Sequence, residues 1–162
     1  MNGGPKILGR VLDRALSGKG AHVGTGDVFA GLAWKAAGTR PRGVPHSAFQ
    51  LLNHMIYWQD WVVTWLDGRT PAIPKHAAGG WPGGTAPASP AEWQKALRRF
   101  RSGLRALERW SREEDPLAKR GGKTRLEMIQ AIASHNSYHV GQVVIVRQMG
   151  GTWPPPKGGL TW

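Results

Sequence analysis

The chain has 162 residues and a mass of 17.7 kDa, a length that suits one domain spanning residues 1–162. It carries 22 basic and 10 acidic residues, a formal net charge of +12, and it has no cysteine, which excludes disulfides, thiol nucleophiles and thiolate metal sites. No apolar run reaches the ~20 residues of a membrane-spanning helix, and charged residues interrupt the apolar stretch at the N-terminus. We therefore expect a cytoplasmic protein with no membrane partner.

The positive charge favours contact with polyanions, but its distribution is also typical of a solvated helix face. Between residues 98 and 112 the basic side chains are Arg98, Arg99, Arg101, Arg105, Arg109 and Arg112. The sequence contains no tandem zinc finger, basic zipper or aromatic RNA-binding signature. We expect no sequence-specific binding to nucleic acid.

The first predicted helix runs over residues 5–17. Pro5 suits the first turn of a helix, Gly18 suits its C-terminal cap, and apolar residues recur between them with the helical period. A shorter helical continuation is predicted over residues 27–37.

The second long helix is predicted over residues 47–67. Ser47 and Gln50 have the spacing of a capping box, and Gly68 can end the helix. The segment 71–90 that follows is rich in glycine, proline and alanine and predicts a long loop. Loops of this length in a compact domain are usually functional or disordered.

Two further helices are predicted over 90–114 and 124–149. Ser89 with Glu92, and Thr124 with Glu127, have capping-box spacing. Three prolines follow Trp153, so the tail 151–162 is expected to be extended. Strand signals are nearly absent. Four long amphipathic helices predict an all-α protein, a four-helix bundle.

Three of the six histidines lie on the predicted long helices. His135 and His139 stand four residues apart, which sets both imidazoles on one face, ~6 Å apart along the axis, where they could share a metal ion. The same spacing is typical of a polar helix face or a hydrogen-bonded pair. His54, on the apolar face of the second helix, is either a hydrogen-bonded core residue or a third ligand that faces the pair across the bundle.

Carboxylates do not complete such a site. Asp60 lies about 240° round the helix from His54, and Glu127 lies about 12 Å from His135. If a metal is bound, the site therefore has three histidines and an open position. Structural sites are normally closed by four protein ligands, so an open position indicates catalysis or substrate binding.

Gln142, three residues beyond His139, is the candidate for hydrogen bonding to a water or ligand at the open position. No residue is assigned a covalent or acid–base role. The remaining histidines, His22, His46 and His76, fall at a helix entry or in loops, and we interpret them as surface or capping residues.

Two segments of the chain resemble motifs of the DinB-like (DinB/YfiT) superfamily. The segment from Ser47, S-A-F-Q-L-L-N-H-M-I-Y-W-Q-D-W, is similar to the first histidine motif, and H-N-S-Y-H-V-G-Q-V, which begins at His135, is similar to the second. The proline-rich ending that starts at Arg147 resembles the tail of many members. The resemblance extends over roughly residues 5–156.

The resemblance implies a four-helix bundle with an unusual helix order, often a homodimer, that binds zinc or nickel through three histidines. The ligands that it implies here are His54, His135 and His139. Some members are transferases or isomerases that use a low-molecular-weight thiol such as bacillithiol or mycothiol, and many have no assigned reaction.

The resemblance thus implies a small-molecule substrate and a metal-dependent enzyme, such as a thiol S-transferase or a metal-assisted hydrolase. The metal would lower the pKa of a bound water or thiol. Trp58, Trp61 and the 71–90 loop are candidates for shaping the pocket, although each tryptophan also suits a core. One alternative stays open, a non-enzymatic basic module that binds nucleic acid during stress.

Overall fold

The computed structural model describes residues 4–113 and 115–159, which form a mostly helical structure. Its α-helices are α1 (Gly4–Ser17), α2 (Trp34–Gly38), α3 (Ala48–Leu66), α4 (Pro90–Glu113) and α5 (Arg125–Met149). A 3₁₀ helix (Ala77–Gly80) and two short strands, β1 (Lys119–Arg120) and β2 (Lys123–Thr124), lie between them. The all-α prediction is confirmed. None of these helices combines the length and the apolar character that crossing a membrane requires.

Side-chain caps fix where the two histidine-bearing helices begin. Ser47 Oγ accepts a hydrogen bond from the backbone N–H of Gln50 at 3.2 Å, and Gln50 Oε1 accepts one from Ser47 N–H at 3.0 Å. Thr124 and Glu127 form the same reciprocal pair at the start of α5. The helices predicted over 5–17, 47–67, 90–114 and 124–149 agree with the structure to within one residue at each described end; residue 114 lies outside the described residues.

The helix predicted over residues 27–37 is wrong before Trp34. Residues 25–31 form turns, and Gly31 has φ of 70°, a left-handed conformation that interrupts a right-handed helix. Val28 and Phe29 are nevertheless almost completely buried. The apolar spacing that suggested a helix arises because these turns pack into the core.

The sequence analysis also missed a small hairpin. β1 and β2 pair antiparallel around Gly121 and Gly122, whose φ values of 53° and 79° suit a two-residue hairpin turn. Arg120 donates from its guanidinium to the carbonyl of Trp65 at 2.7 Å, which ties β1 to the end of α3. Because the strands are two residues long and mostly basic, they carry no strand signal in the sequence.

The four long helices pack against one another, α1 and α3 each contacting both α4 and α5. Their apolar side chains form two clusters. One joins the first half of α3, including Leu52, to the second half of α5, including Val143. The other joins the end of α3, including Leu66, to the first half of α5, including Ile129. α3 and α5 therefore run antiparallel, and their central turns meet between the two clusters.

The segments predicted to be irregular are largely so. Residues 71–90 contain only the 3₁₀ helix before α4 begins, and residues 150–159 form no helix; residues 160–162 of the predicted extended tail lie outside the described residues. Arg147, 2% exposed, donates to the carbonyl of Val28 at 2.5 Å and to that of Thr152 at 2.6 Å. One buried guanidinium thus joins α5 to the tail and to the 25–31 turns.

Candidate metal centre

The three histidines on the long helices converge where the middles of α3 and α5 meet. One ring nitrogen of each of His54, His135 and His139 lies within 4.8 Å of the other two. The Nε2 atoms of His54 and His135 are 3.1 Å apart. The ring centroids are separated by 4.4, 4.6 and 5.0 Å. The structure therefore brings together the residues that the sequence singled out.

The donor set fits a divalent cation. Two nitrogens that are each ~2.0–2.1 Å from one tetrahedral ion are ~3.3 Å apart, close to the 3.1 Å between His54 Nε2 and His135 Nε2. That distance also suits an N–H···N hydrogen bond between two imidazoles. A third imidazole, that of His139, favours the metal site, because it places a further ring nitrogen within 4.8 Å of the other two, which a hydrogen-bonded pair does not require.

No carboxylate of the described residues joins this group. Asp60, predicted to point away from His54, forms an ion pair with Arg99 of α4 at 2.5 Å. The described part of the chain accordingly offers three imidazole ligands to a cation at this point.

Hydrogen bonds fix the orientation of two of the imidazoles. Nδ1 of His54 lies 2.6 Å from the carbonyl oxygen of Gly80, and Nδ1 of His139 lies 2.7 Å from Oε1 of Gln142. Because a carbonyl oxygen only accepts, each Nδ1 carries the proton and donates it. Each Nε2 is then left with a lone pair for a cation, the arrangement typical of metal-ligating histidines.

Burial keeps these imidazoles neutral. Desolvation, together with the charges that His139 and His54 carry when protonated, lowers the pKa of His135 to about 4. Desolvation also lowers the pKa of His139 to about 4, although its hydrogen bond with Gln142 acts in the opposite direction. The pKa of His54 is lowered by burial too, against the hydrogen bond to Gly80. Neutral imidazole is the form that binds a metal.

The long loop, which the sequence analysis proposed as a candidate for shaping the pocket, supplies an aromatic side chain that was not singled out there. The indole of Trp81 stacks on His54 with ring centroids 3.8 Å apart and planes 9° apart. It also stacks on His46, at 3.8 Å and 16°. Two rings stacked on one indole occupy its opposite faces, so Trp81 lies between the two histidines.

His46 is therefore not the simple surface or capping residue that its position before the second helix suggested. It is half-buried, and burial lowers its pKa, with Arg40 acting in the same direction. No local pattern connects His46 with Trp81, which is 35 residues away in the sequence. The only sequence feature that pointed to a role for Trp81 was the unusual length of the 71–90 loop in which it lies.

The other two histidines lie apart from the cluster. His22 is half-buried and bonds through Nε2 to Ser137 Oγ at 3.0 Å, so it too is more than a surface residue. His76 is exposed and precedes the 3₁₀ helix, as expected for a surface or capping position.

The two tryptophans predicted to shape a pocket differ in what they contact. Trp58 lies edge-on to the rings of His54 and His135, with both centroid distances 6.4 Å. Trp61 donates from its indole N–H to the carbonyl of Ala72 at 3.1 Å and so anchors the start of the long loop. Trp58 thus belongs to the wall of the histidine cluster, whereas Trp61 holds the loop.

Two cavities flank α3. A cavity of about 190 Å³ is lined by Gln142 and His46. Its other lining residues are apolar: Val44, Pro45, Leu51, Ile145 and Val146. A cleft of about 600 Å³ lies between α3, α4 and the long loop, and contains none of the three clustered histidines. The smaller cavity therefore adjoins the histidine site through Gln142, whereas the larger cleft is not lined by any of the three clustered histidines.

Comparison with protein families identifies the chain. The sequence model of the DinB superfamily matches residues 26–143. The chain belongs to the DinB superfamily. The match covers α3, α4 and the part of α5 that holds His135 and His139, so it includes both histidine motifs. The α1 helix and the ending from Arg147 lie outside it, so the match is narrower than the predicted resemblance. Neither the curated proteins nor the solved structures compared with this DinB chain give a match.

Proposed function

We propose that this DinB superfamily protein is a metal-dependent enzyme acting on a small molecule, with one divalent cation, zinc or nickel, held by His54, His135 and His139. The convergence of three neutral imidazoles carries the proposal. Two of them also have Nδ1 held outward by Gly80 and Gln142, which leaves Nε2 for the ion.

A divalent cation at this site would supply Lewis acidity that lowers the pKa of a bound water or thiol. The chain's own residues position and shield the reacting groups. Gly80 and Gln142 hold two imidazoles in one tautomer and orientation, and Trp81 excludes water from one face of His54. The cavity beside Gln142, about 190 Å³ in volume, is suited to an apolar part of the substrate.

Within this class we favour transfer to or from a low-molecular-weight thiol, with metal-assisted hydrolysis as the other reaction that the same site supports. The superfamily resemblance supports the thiol reaction, and an open coordination position supports either one. Gln142, whose Oε1 accepts from His139, acts in this proposal mainly by orienting that ligand. We further propose that the four long helices form a bundle of the DinB type and that the active species is a homodimer.

The first experiment is metal analysis of purified wild type and single variants after dialysis. We expect about one zinc or nickel per wild-type chain, and loss of the metal in His54→Ala, His135→Ala and His139→Ala. His76→Ala is the matched control, because His76 is exposed and outside the cluster. If all three cluster variants keep the wild-type metal content, or if wild type binds none of zinc, nickel, iron or manganese, the proposal is wrong.

The second experiment separates the two reactions. In the cobalt-substituted protein, a small thiol that enters the site should produce a sulfur-to-cobalt charge-transfer band. His139→Ala should abolish that band, whereas His76→Ala should not. Thiol-transfer and ester-hydrolysis assays, with chelator and after metal is restored, then show which activity depends on the ion. A metal-bound protein with neither activity would contradict the enzymatic proposal.

A further inference from the structure

A second feature of the molecule lies on α4, on its exposed side. Four arginines recur there at spacings of three and four residues, so they lie along one side of the helix. They are Arg98, Arg101, Arg105 and Arg109, and all are exposed. At 1.5 Å per residue they extend over ~16 Å. We call this set the arginine stripe.

The arginine stripe is not neutralised by the protein itself. The flanking arginines are paired, Arg99 with Asp60 and Arg112 with Asp13, each at 2.5 Å. Among the side chains that the structure describes, no carboxylate forms an ion pair with any of the four members of the stripe. Asp60 and Asp13 are therefore engaged at the edges of the stripe. Glu108, three residues from Arg105 on the same helix, acts on Arg112 through its charge. The four arginines outnumber this one carboxylate, so the stripe keeps a net positive charge that is available to a partner.

We propose that the arginine stripe binds the phosphodiester backbone of nucleic acid, independently of base sequence and of the histidine site. A guanidinium binds phosphate oxygens through two parallel N–H donors, which a lysine ammonium cannot do. One DNA strand carries a phosphate every ~3.4 Å along the axis, so a stripe of ~16 Å faces about five phosphates. The chain's net charge of +12 adds long-range attraction to the same partner.

The exposed surface of α4 does not suit a lipid bilayer. A helix that lies in a membrane interface inserts an apolar face between the lipids. The large apolar side chains of α4, including Trp93, Phe100 and Leu107, are instead buried in the protein core. The exposed large apolar residues within the described chain lie elsewhere, on α1, α5 and the connecting segments. The stripe is thus a charged surface without an adjacent apolar face to insert.

The proposal is tested by fluorescence anisotropy with labelled duplexes of two unrelated sequences, between 50 and 200 mM salt. Four phosphate contacts predict a slope of log K against log salt of about −3.6, and a loss of affinity of about 150-fold over that range. We expect the two duplexes to bind with similar affinity. A preference of ~10³ for one of them would place the protein among sequence-specific binders and contradict the proposal.

The variant Arg98→Glu/Arg101→Glu/Arg105→Glu tests whether the arginine stripe is the surface that binds the duplex. Its matched control, Lys75→Glu/Lys119→Glu/Lys157→Glu, makes the same change in net charge at exposed positions outside α4. We expect the stripe variant to lose at least ~30-fold in affinity and the salt slope to fall by about 3, with only a small loss in the control. Metal content should be unchanged in both, which separates this proposal from the enzymatic one.

Three further outcomes would overturn the proposal. One is an equal loss of affinity in the stripe variant and its control, which would assign binding to overall charge. Another is no measurable binding by wild type at 50 mM salt. The last is binding to vesicles rich in anionic lipid that depends on the stripe and is as tight as binding to the duplex.

Discussion

At the scale of single residues, the candidate centre depends on groups that do not touch the proposed ion. The carbonyl of Gly80 and the amide oxygen of Gln142 decide which nitrogen of their histidine carries the proton. Trp81 fixes the plane of the His54 ring. Such outer partners typically change metal affinity by ~10–100-fold when removed, because the ligand then has to be oriented at the moment of binding.

Gln142→Ala should therefore weaken metal binding without abolishing it. The expected effect is a ~10-fold or larger increase in the dissociation constant, because Nδ1 of His139 loses its acceptor. Gln148→Ala, an exposed position of the same helix, is the control. Competition titration with a chromogenic chelator measures both. An unchanged dissociation constant in Gln142→Ala would show that Gln142 does not position His139 for metal binding.

The lowered pKa values of His135 and His139 predict a stability that depends on acidity. Both groups have a pKa of about 4 in the folded protein against 6.5 ordinarily, so between these values the unfolded chain binds more protons. The stability of the metal-free protein should stay level above pH 6.5 and fall as the pH drops from 6.5 towards 4. Thermal unfolding followed by circular dichroism measures this. His135→Gln/His139→Gln should flatten the dependence; an equally steep fall in that variant would assign it to other groups.

At the scale of elements, capping and burial determine where the histidines lie along their helices. The capping boxes at Ser47 and Thr124 set the first turns of α3 and α5. The two apolar clusters on either side of the histidines then hold the helices antiparallel. A shift of either helix by one turn would move its imidazoles by ~5.4 Å. That is more than the 4.8 Å within which the ring nitrogens of the three histidines now lie.

Arg147 connects α5 to segments that lie outside the long helices. Arg147→Met should keep most of the buried volume but leave the carbonyls of Val28 and Thr152 without their charged donor. We expect a loss of about 3 kcal/mol in the free energy of unfolding, the size of effect for charged hydrogen bonds removed from a buried site. Urea unfolding measures it, and exposed Arg98→Met is the control. A loss within about 0.5 kcal/mol, the effect of a surface substitution, would contradict the prediction.

At the scale of the whole molecule, two helices expose apolar side chains to solvent. Ile7 and Val11 of α1 are 52% and 58% exposed, and on α5 Tyr138, Ile145 and Met149 are more than half exposed. The three on α5 are spaced by seven and four residues, which places them on one side of the helix. The arginine stripe lies on a different helix, α4, so its charge does not interrupt either apolar set.

We expect the protein to be a homodimer, as the superfamily resemblance implies, with these apolar side chains covered in the dimer. Light scattering over a range of concentrations should give about twice the chain mass of 17.7 kDa. Ile145→Lys/Met149→Lys should shift the mass towards the monomer if α5 forms the interface, whereas exposed Lys75→Glu should not. A mass near that of one chain at every concentration would contradict the prediction.

The sequence by itself determined where the long helices run and which three histidines are the candidate metal ligands. Caps such as Ser47 and Thr124 are local interactions, and the helical period is set by the backbone, so both can be predicted without knowing the fold. The same holds for His135 and His139, whose relative position follows from four residues of one helix. The pairing of His54 with them required the packing of a helix bundle, and the resemblance then implied that His54 is a ligand and not only a core residue.

Only the tertiary structure decided what surrounds those histidines. Trp81 and His46 meet His54 through long-range contacts that leave no periodic trace, because they come from loops with no repeating geometry. The turns at 25–31 have the apolar spacing of a helix, because buried positions are occupied by apolar residues in turns as well as in helices. The exposed side of α4 is basic in the sequence, but which arginines pair and which remain available depends on Asp13 and Asp60 from neighbouring helices.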